Sequence, residues 1–292
     1  MTTARPSTWL ITGASSGFGK SLALKALVAG YKVIGTTRDV GKAKISCPDF
    51  SAKGGIWMAL DPAQKDAFDQ FSKCSEEHNV DVLVNNAAYA FIGGVEDTSE
   101  QEVRDQMEVN FYGPLRTVRA CLPAMRAKGS GHIVLISSGA GFIARPGRAS
   151  YAASKFAIEA VHESLSHEVT TFGIKVLIVE PGAFRTPFLS RIITPAQYES
   201  GTGFSAAYKN TAVEQMVNMS RNIKSIPDSV RGDTDKAAQA IIDAVVGGHD
   251  YLRMPLGADC VVALESKIGQ LQNDLEATRP IATAMDIDSP SQ

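Results

Sequence analysis

A glycine-rich segment close to the amino terminus constrains the fold of this 292-residue chain more than any other feature. The apolar run Thr8–Ile11 leads directly into residues 12–19, TGASSGFG, and apolar residues at helical spacing follow up to Gly30. This order predicts a β-strand, a tight turn and an α-helix, the context in which such a glycine pattern indicates dinucleotide binding. Glycine lets the backbone approach a pyrophosphate closely, and the helix N-terminus attracts its negative charge. The alternative is a strand-to-helix turn with a purely structural role.

Short apolar runs alternate with helical patterns along most of the remaining chain. Such runs, bounded by helices, predict a parallel sheet covered on both faces, which is an α/β, Rossmann-type doubly wound fold of three layers. The sequence has no internal repeat and no second domain, so we expect a single domain over residues 7–278. The further predicted strands cover residues 31–37, 55–60, 80–84, 132–136, 174–179 and 251–254.

Residues at the carboxyl ends of these strands are candidates for ligand binding, because doubly wound sheets bind ligands there. Arg38 follows the second strand, where an acid would bond the 2′-hydroxyl of an adenosine ribose and an arginine can accommodate a 2′-phosphate. Arg38 therefore favours NADP(H) over NAD(H). Asp39 follows at once and is the alternative ribose ligand if the register of the strand slips.

Tyr151 and Lys155 are four residues apart in a helical pattern and therefore share one helix face. A lysine ammonium beside a phenol favours the phenolate and lowers the tyrosine pKa from its usual value of about 10. A tyrosine with such a pKa can exchange a proton with a reacting oxygen. Ser138 precedes this helix by one loop and can hold the same oxygen by a hydrogen bond. The alternative is an ordinary solvated pair of side chains.

Helical periodicity weakens over residues 183–233, where aromatic and aliphatic residues are spread among glycines and serines. A long, irregular segment beside a cofactor site is typical of a lid or substrate loop, although a subunit contact or simple packing would give the same pattern. Helices are predicted over residues 234–246 and, from an apolar stripe, over 261–275. The polar, acidic tail 279–292 is expected to be disordered.

Composition limits the classes of function. A net charge of −2 gives no electrostatic case for nucleic acid or an anionic membrane surface. No apolar run approaches the ~20 residues of a membrane span. The four cysteines are scattered without metal-ligand or disulfide spacing, which indicates free thiols and no metal site. Because the amino terminus lacks a signal-peptide pattern, we expect a cytoplasmic protein.

Taken together, these segments resemble the short-chain dehydrogenase/reductase family from about residue 7 to 278. The resemblance implies that the turn at 12–19 and Asp61 hold the dinucleotide, and that residues 85–87 steady the central sheet. It further implies a catalytic tetrad, formed by Asn110, Ser138, Tyr151 and Lys155. The implied cofactor contacts are Thr12, Gly13, Ser15, Ser16, Gly17, Phe18, Gly19, Arg38, Asp61, Asn86, Ala87, Tyr151, Lys155, Pro181, Gly182 and Thr186.

Three positions depart from the family pattern or complicate it. Ala88 replaces the glycine that usually follows residues 85–87 in the family. With a negative φ at this position, the backbone accommodates the added methyl group. Glu180 replaces the asparagine that often precedes the Pro-Gly segment in the family. This chain therefore lacks the side-chain amide that would make a hydrogen bond there. Ser137 competes with Ser138 for the serine role; Ser138 has the separation from Tyr151 that fits the family.

By resemblance, hydride passes between the nicotinamide and a carbonyl carbon while Tyr151 exchanges the proton on oxygen. Ser138 would polarise that oxygen, Lys155 would also bond the nicotinamide ribose, and Asn110 would position a water that links Lys155 to solvent. An apolar lining favours a bulky hydrophobic ketone or secondary alcohol, such as a steroid, a polyketide-type or terpenoid compound, or an aryl ketone. The expected lining is Tyr89, Phe91, Ile92, Phe142, Ile143 and the segment 183–219.

Two other functions fit the same sequence. An epimerase or dehydratase on this scaffold would keep its nicotinamide bound, and a regulatory protein would sense NADP(H) without catalysis. The filled tetrad argues against the regulatory protein. Relatives commonly form dimers and tetramers, so we expect a homodimer or homotetramer through the helices that carry Asn110 and Tyr151.

Overall fold

The computed structural model describes residues 7–223 and 230–285. Its strands are β1 (Thr8–Ile11), β2 (Lys32–Thr37), β3 (Ile56–Ala59), β4 (Val82–Asn85), β5 (Gly131–Ile136), β6 (Ile174–Pro181) and β7 (Arg253–Leu256). They form one sheet in the order β3-β2-β1-β4-β5-β6-β7, and every neighbouring pair is parallel. The strand order reverses between β1 and β4, which is where doubly wound sheets bind ligands. The predicted fold class is confirmed.

Helices cover both faces of the sheet and divide the core in two. Within β1, Leu10 packs with Phe71 and Met125 on one face, whereas Ile11 packs with Ile241 on the other, because successive strand residues point to opposite faces. The α-helices are α1 (Gly17–Val28), α2 (Val40–Ser46), α3 (Pro48–Ala52), α4 (Ala67–His78), α5 (Glu100–Met107), α6 (Gly113–Lys128), α7 (Ala149–Val169), α8 (Ala212–Asn222), α9 (Thr234–Gly247) and α10 (Ala258–Thr283).

Several boundaries differ from those predicted. The helical pattern through Asn110 is interrupted by a π-helical turn at Glu108–Tyr112, which separates α5 from α6. β6 continues two residues beyond its predicted end, to Pro181. β7 begins at Arg253 and includes Pro255, which the sheet tolerates because β7 is an edge strand.

The carboxyl-terminal helix α10 also corrects a prediction. It continues through Pro280 to Thr283, so the first part of the expected disordered tail is helical, and residues 286–292 lie outside the described ranges. Proline removes one hydrogen bond from a helix but does not have to end it. Among the described residues, no helix combines the length and the apolar character needed to cross a bilayer.

The segment predicted as a lid is described as far as residue 223 and again from 230. It consists of short 3-10 turns followed by α8, and it crosses the carboxyl edge of the sheet. The Ile92 N–H donates to the Ile193 carbonyl at 2.8 Å, and the Ile193 N–H donates to the Ala90 carbonyl at 3.0 Å. Asp97 Oδ2 accepts from the Ser205 N–H at 2.8 Å. These bonds fix the segment against the body of the protein.

Candidate active site

The turn between β1 and α1 has a geometry that requires its glycines. Gly13 and Gly17 have φ angles of +65° and +54°, a region that other residues rarely adopt. A Cβ on Gly13 would lie 3.1 Å from the Ala87 backbone, so the turn packs closely against the end of β4. Ser16 precedes α1 without a side-chain capping bond, which leaves the first N–H groups of the helix to an anion. This cradle fits a dinucleotide pyrophosphate.

Thr12 and Asn86 join that turn to β4. Asn86 Nδ2 donates to the carbonyl oxygens of Thr12, at 2.8 Å, and Gly13, at 3.2 Å. Thr12 Oγ1 accepts from the backbone N–H groups of Asn86, at 2.9 Å, and Ala87, at 3.0 Å. Both side chains therefore determine the shape of the turn.

A cavity of about 860 Å³ opens at the carboxyl ends of the strands, and most of the predicted site residues line it. Thr12, Gly19 and Asn110 are not part of the wall and support it from behind. The predicted residues that line the cavity are Gly13, Ser15, Ser16, Gly17, Phe18, Arg38, Asp61, Asn86, Ala87, Ser138, Tyr151, Lys155, Pro181, Gly182 and Thr186.

The apolar part of the wall agrees with the prediction only in part. Ile92 lines the cavity, as do Tyr89 and Ile143, but Phe91 and Phe142 do not. Ala90 and Ile92 both face the cavity, so in an extended segment Phe91 faces the other way. The segment 183–223 contributes further apolar residues to the wall, namely Phe184, Phe188, Leu189, Ile192, Ile193, Met219 and Ile223.

Arg38 lies at the end of β2, where it is exposed and lines the cavity. Asp39 is engaged elsewhere: its Oδ1 accepts from the Lys42 N–H at 2.9 Å and thereby caps α2. The same carboxylate lies 3.4 Å from Lys42 Nζ and is not part of the cavity wall. The alternative in which Asp39 binds the ribose therefore has no support in this geometry.

Tyr151 and Ser138 both line the cavity, where their side chains are close enough to interact and Tyr151 is only 6% exposed. Ser138 Oγ accepts from the Ala140 N–H at 3.2 Å, which leaves the hydroxyl proton for Tyr151 or a ligand. Burial raises the pKa of Tyr151, and the hydrogen bond of Ser138 and the charge of Arg148 oppose that rise. The predicted lowering of this pKa is wrong because burial outweighs the neighbouring charges.

Lys155 lies one helical turn beyond Tyr151 and lines the same cavity from the side of β5. Its Nζ donates to the Ile136 carbonyl at 3.0 Å. Burial lowers the pKa of Lys155 to about 8, and the charge of Glu159 acts in the opposite direction. The ammonium is therefore easier to deprotonate than an exposed lysine.

Asn110 is buried in the π-helical turn, a feature often found at functional sites. Its Oδ1 accepts from the Tyr89 N–H at 3.2 Å, and its Nδ2 donates to the Tyr89 carbonyl at 3.0 Å and to Ser154 Oγ at 3.1 Å. These bonds occupy the amide and hold the segment after β4 against α7. The water-positioning role of Asn110 stays a prediction.

Glu180 and Ser137, two of the three positions that complicated the family pattern, belong to one ionic network that reaches from the buried core to the surface. Arg253 Nη1 donates to Glu159 Oε2 at 2.5 Å and to Glu180 Oε1 at 2.6 Å, and its Nη2 donates to Glu163 Oε2 at 2.8 Å. Ser137 Oγ donates to Glu159 Oε1, so Ser137 is engaged away from Tyr151. Burial and the charge of Glu159 raise the pKa of Glu180 to about 7.

Sequence reasoning missed four charged residues of the described cavity wall, namely Arg145, Arg148, Arg191 and Asp259. Asp259, at the start of α10, accepts a hydrogen bond from the Ala183 N–H at 2.8 Å, and its carboxylate occupies the space that a Cβ on Gly182 would need. Arg148 lies three residues before Tyr151. The (i, i+3) spacing to Tyr151 was the available signal for Arg148, whereas no local pattern pointed to Asp259.

Comparisons with known proteins agree with this geometry. A model of the family described as "short chain dehydrogenase" matches residues 7–196. The chain is 46% identical over 197 residues to "Oxidoreductase claN" from Passalora fulva, across 67% of this chain and 90% of that protein. It is 39% identical over 188 residues to a 3-ketodihydrosphingosine reductase from Bacteroides thetaiotaomicron, across 63% of this chain and 66% of that one. A short-chain dehydrogenase structure from Streptomyces avermitilis has a TM-score of 0.83 at 36% identity, covering 97% of this chain and 100% of that one.

Proposed function

This chain belongs to the short-chain dehydrogenase/reductase family, and from that premise we propose that it is an NADP(H)-dependent oxidoreductase. Its reaction interconverts a bulky hydrophobic ketone and the corresponding secondary alcohol. The observation that carries the proposal is that the Ser138–Tyr151 pair lies in the same cavity as the glycine turn of β1. A proton donor for oxygen and a binding site for a hydride carrier are thus adjacent.

The chain's own residues supply binding, orientation and proton transfer. When bound, the nicotinamide cofactor supplies or accepts the hydride. The glycine turn and the N-terminus of α1 would hold the pyrophosphate, and Asp61 and Arg38 would hold the adenosine half of the cofactor. Lys155, Pro181 and the residues near Thr186 form the opposite end of the site, where the nicotinamide belongs by the family pattern.

Proton transfer depends on the protonation state of Tyr151. Because its pKa is raised, the phenol is protonated at neutral pH, which is the form that a ketone reductase needs as its general acid. Ser138 donates its hydroxyl proton to the substrate oxygen and stabilises the charge that develops there. In this protonation state Tyr151 can donate its proton to the oxygen of a ketone as the carbonyl carbon accepts hydride.

The preference for NADP(H) rests on two neighbouring residues. Arg38 lines the cavity and carries the guanidinium that suits a 2′-phosphate. Asp39, which would bind a free 2′-hydroxyl, caps α2. The combination supports NADPH as the reductant.

The substrate class rests on the apolar wall and on one relative. Phe188 lies with its ring centroid 6.1 Å from that of Tyr151, and Ile192 packs in the same cluster, so the reacting carbonyl would be held against apolar side chains. The relative from B. thetaiotaomicron is named as the reductase of a long-chain ketone, which is in keeping with a hydrophobic substrate.

Oxidation of NADPH and NADH, measured side by side against bulky and small ketones, tests the proposal. We expect turnover with NADPH on bulky ketones and little turnover with NADH. Turnover with NADH alone would support the oxidoreductase activity and contradict the proposed binding of a 2′-phosphate by Arg38. Binding of the cofactor without net oxidation on any ketone would favour an epimerase or dehydratase on this scaffold. Light scattering would establish whether the protein is the expected dimer or tetramer.

A further inference from the structure

Arg148 occupies a defined position beside the proposed reaction site. It immediately precedes α7, three residues before Tyr151, and both residues line the cavity. The charge of Arg148 acts on the Tyr151 phenol across this cavity. Lys155 lies on the other side of Tyr151 along the helix and is bonded to the end of β5. Arg148 therefore approaches the site from the side opposite Lys155.

The turn that carries Arg148 is held between the body of the protein and the segment that crosses the cavity. The Gly93 N–H donates to the Gly147 carbonyl at 2.8 Å, and the Arg148 N–H donates to the Arg145 carbonyl at 3.1 Å. Gly147 has a φ of +70°, and a Cβ on it would lie 3.5 Å from Met216 in α8. This places the turn that carries Arg148 beside α8, a helix that contributes Met219 to the cavity wall.

The charge of Arg148 has no counterpart in the part of the chain that the structure describes. Its Nε is buried without a hydrogen-bond partner, and no ion pair joins it to any described residue. Among the described residues, two carboxylates line the cavity, and both accept a backbone hydrogen bond: Asp61 Oδ1 from the Ala63 N–H at 3.0 Å, and Asp259 Oδ2 from the Ala183 N–H at 2.8 Å. Of the other cations in this wall, Arg191 donates to Ser16 and Lys155 to the Ile136 carbonyl, whereas Arg38 and Arg145 are exposed.

An unpaired, partly buried guanidinium is costly, so its place in a ligand cavity calls for an anionic ligand. Burial lowers the pKa of Arg148, as expected for a cation that lacks a partner. A guanidinium binds a carboxylate through two parallel hydrogen bonds, which fixes the orientation of the ligand as well as its charge.

We propose that Arg148 binds a carboxylate of the substrate. The substrate is then a hydrophobic ketone, or the corresponding alcohol, that carries an acidic group on the side of the reacting carbon that faces α8. This inference rests on the proposed ketone reduction and narrows its substrate class from neutral hydrophobic ketones to keto acids.

A matched pair of ketones tests the inference through turnover. Benzoylpropionate and its methyl ester have the same reacting carbonyl and differ in the charge of one group. One charge-assisted hydrogen-bonded pair should give wild type a preference for the acid, in kcat/KM with NADPH, of about tenfold to a hundredfold. Arg148→Gln should bring the ratio of acid to ester close to one. Arg119→Gln, which removes an exposed arginine of α6 outside the cavity wall, should keep the preference.

Two outcomes would overturn the inference. A wild-type ratio close to one would show that the site does not select a carboxylate. If Arg148→Gln lowered turnover of the acid and the ester by the same factor, the guanidinium would act on Tyr151 rather than on the substrate. The wild-type ratio needs no variant, so it decides the question even if the substituted proteins fold poorly.

A binding measurement separates this inference from the proposed reaction. Titration of naphthalenecarboxylate and of the uncharged naphthalenecarboxamide into the protein with NADP⁺ requires no turnover. We expect wild type to bind the carboxylate at least about tenfold more tightly, and Arg148→Gln to bind the two equally. If this held while neither ketone was reduced, the proposed reaction would fail and the carboxylate site would stand. Equal binding of both compounds by wild type would contradict the site.

Discussion

Replacing Gly19 with alanine tests how the glycine turn is built. Gly19 lies in the first turn of α1, and a Cβ there would come within 2.5 Å of Asn86 Nδ2 and 2.6 Å of the Gly13 carbonyl oxygen. Asn86 Nδ2 is the atom that donates to the Thr12 carbonyl at 2.8 Å and to the Gly13 carbonyl at 3.2 Å. The substitution must therefore displace the side chain that joins the turn to β4.

The expected loss of stability follows from these contacts. Overpacking costs roughly 1–3 kcal/mol, and each of the displaced asparagine hydrogen bonds adds about 1 kcal/mol. Alanine regains about 1 kcal/mol over glycine inside a helix. The net loss is about 2–4 kcal/mol, which for a domain of this size lowers the Tm by roughly 4–16 °C.

Gly269→Ala is the matched control for this measurement. Gly269 also lies in an α-helix, α10, but its added Cβ would meet nothing within 4 Å, so alanine should stabilise the protein by about 0.5–1 kcal/mol. Thermal unfolding followed by circular dichroism compares the two variants with wild type, and their Tm values should move in opposite directions. If Gly19→Ala unfolded at or above the wild-type temperature, the close contact with Asn86 would be absent and the reasoning refuted.

Three further substitutions test the site. Tyr151→Phe should lower kcat at least about a hundredfold, which is the low end for the loss of a general acid, and should change the affinity for NADP(H) little. Near-wild-type turnover would show that Tyr151 is not the general acid. Arg38→Gln should lower kcat/KM for NADPH about tenfold to a hundredfold and leave that for NADH nearly unchanged, whereas equal losses would contradict the 2′-phosphate contact. Because folding raises the pKa of Glu180 from 4.5 to about 7, native Glu180 holds its proton more tightly than the unfolded chain does, and its contribution to stability is lost as pH rises through this window. The Tm of Glu180→Gln minus the Tm of wild type should therefore increase between about pH 5 and pH 8. Glu163 is the exposed carboxylate on the same arginine, and the same difference for Glu163→Gln should not increase in this way.

The sheet could be predicted from sequence because its strands are buried on both faces. Leu10 and Ile11 are adjacent and both fully buried, so a parallel strand appears as a continuous apolar run rather than as an alternating one. The short helices α2 and α3, between β2 and β3, were not predicted, since two turns or fewer give too little periodicity. The end of α10 was misplaced because Pro280 is tolerated there.

The candidate site was predictable where its residues are close together in sequence. The glycine turn and the Tyr151–Lys155 spacing are local patterns, and the structure places them in one cavity. The pKa of Tyr151 was not predictable, because it reflects burial by many residues that are distant in sequence. The capping of α2 by Asp39 was equally hidden, since it depends on a helix that the sequence pattern did not reveal.

Glu180 shows how a departure from a family pattern is explained by a distant strand. In the register of β6 and β7, Arg253 lies opposite Ile178, and Glu180 lies two residues further along β6 on the same face as Ile178. That register alone brings the arginine to the carboxylate, although the two residues are 73 positions apart. A glutamate at this position without Arg253 would be a buried, unpaired charge, so the two residues have to be considered together. The hydrogen bond that an asparagine side chain would make at position 180 is therefore replaced by an ion pair with Arg253. The segment that carries Pro181 and Gly182 into the cavity stays anchored.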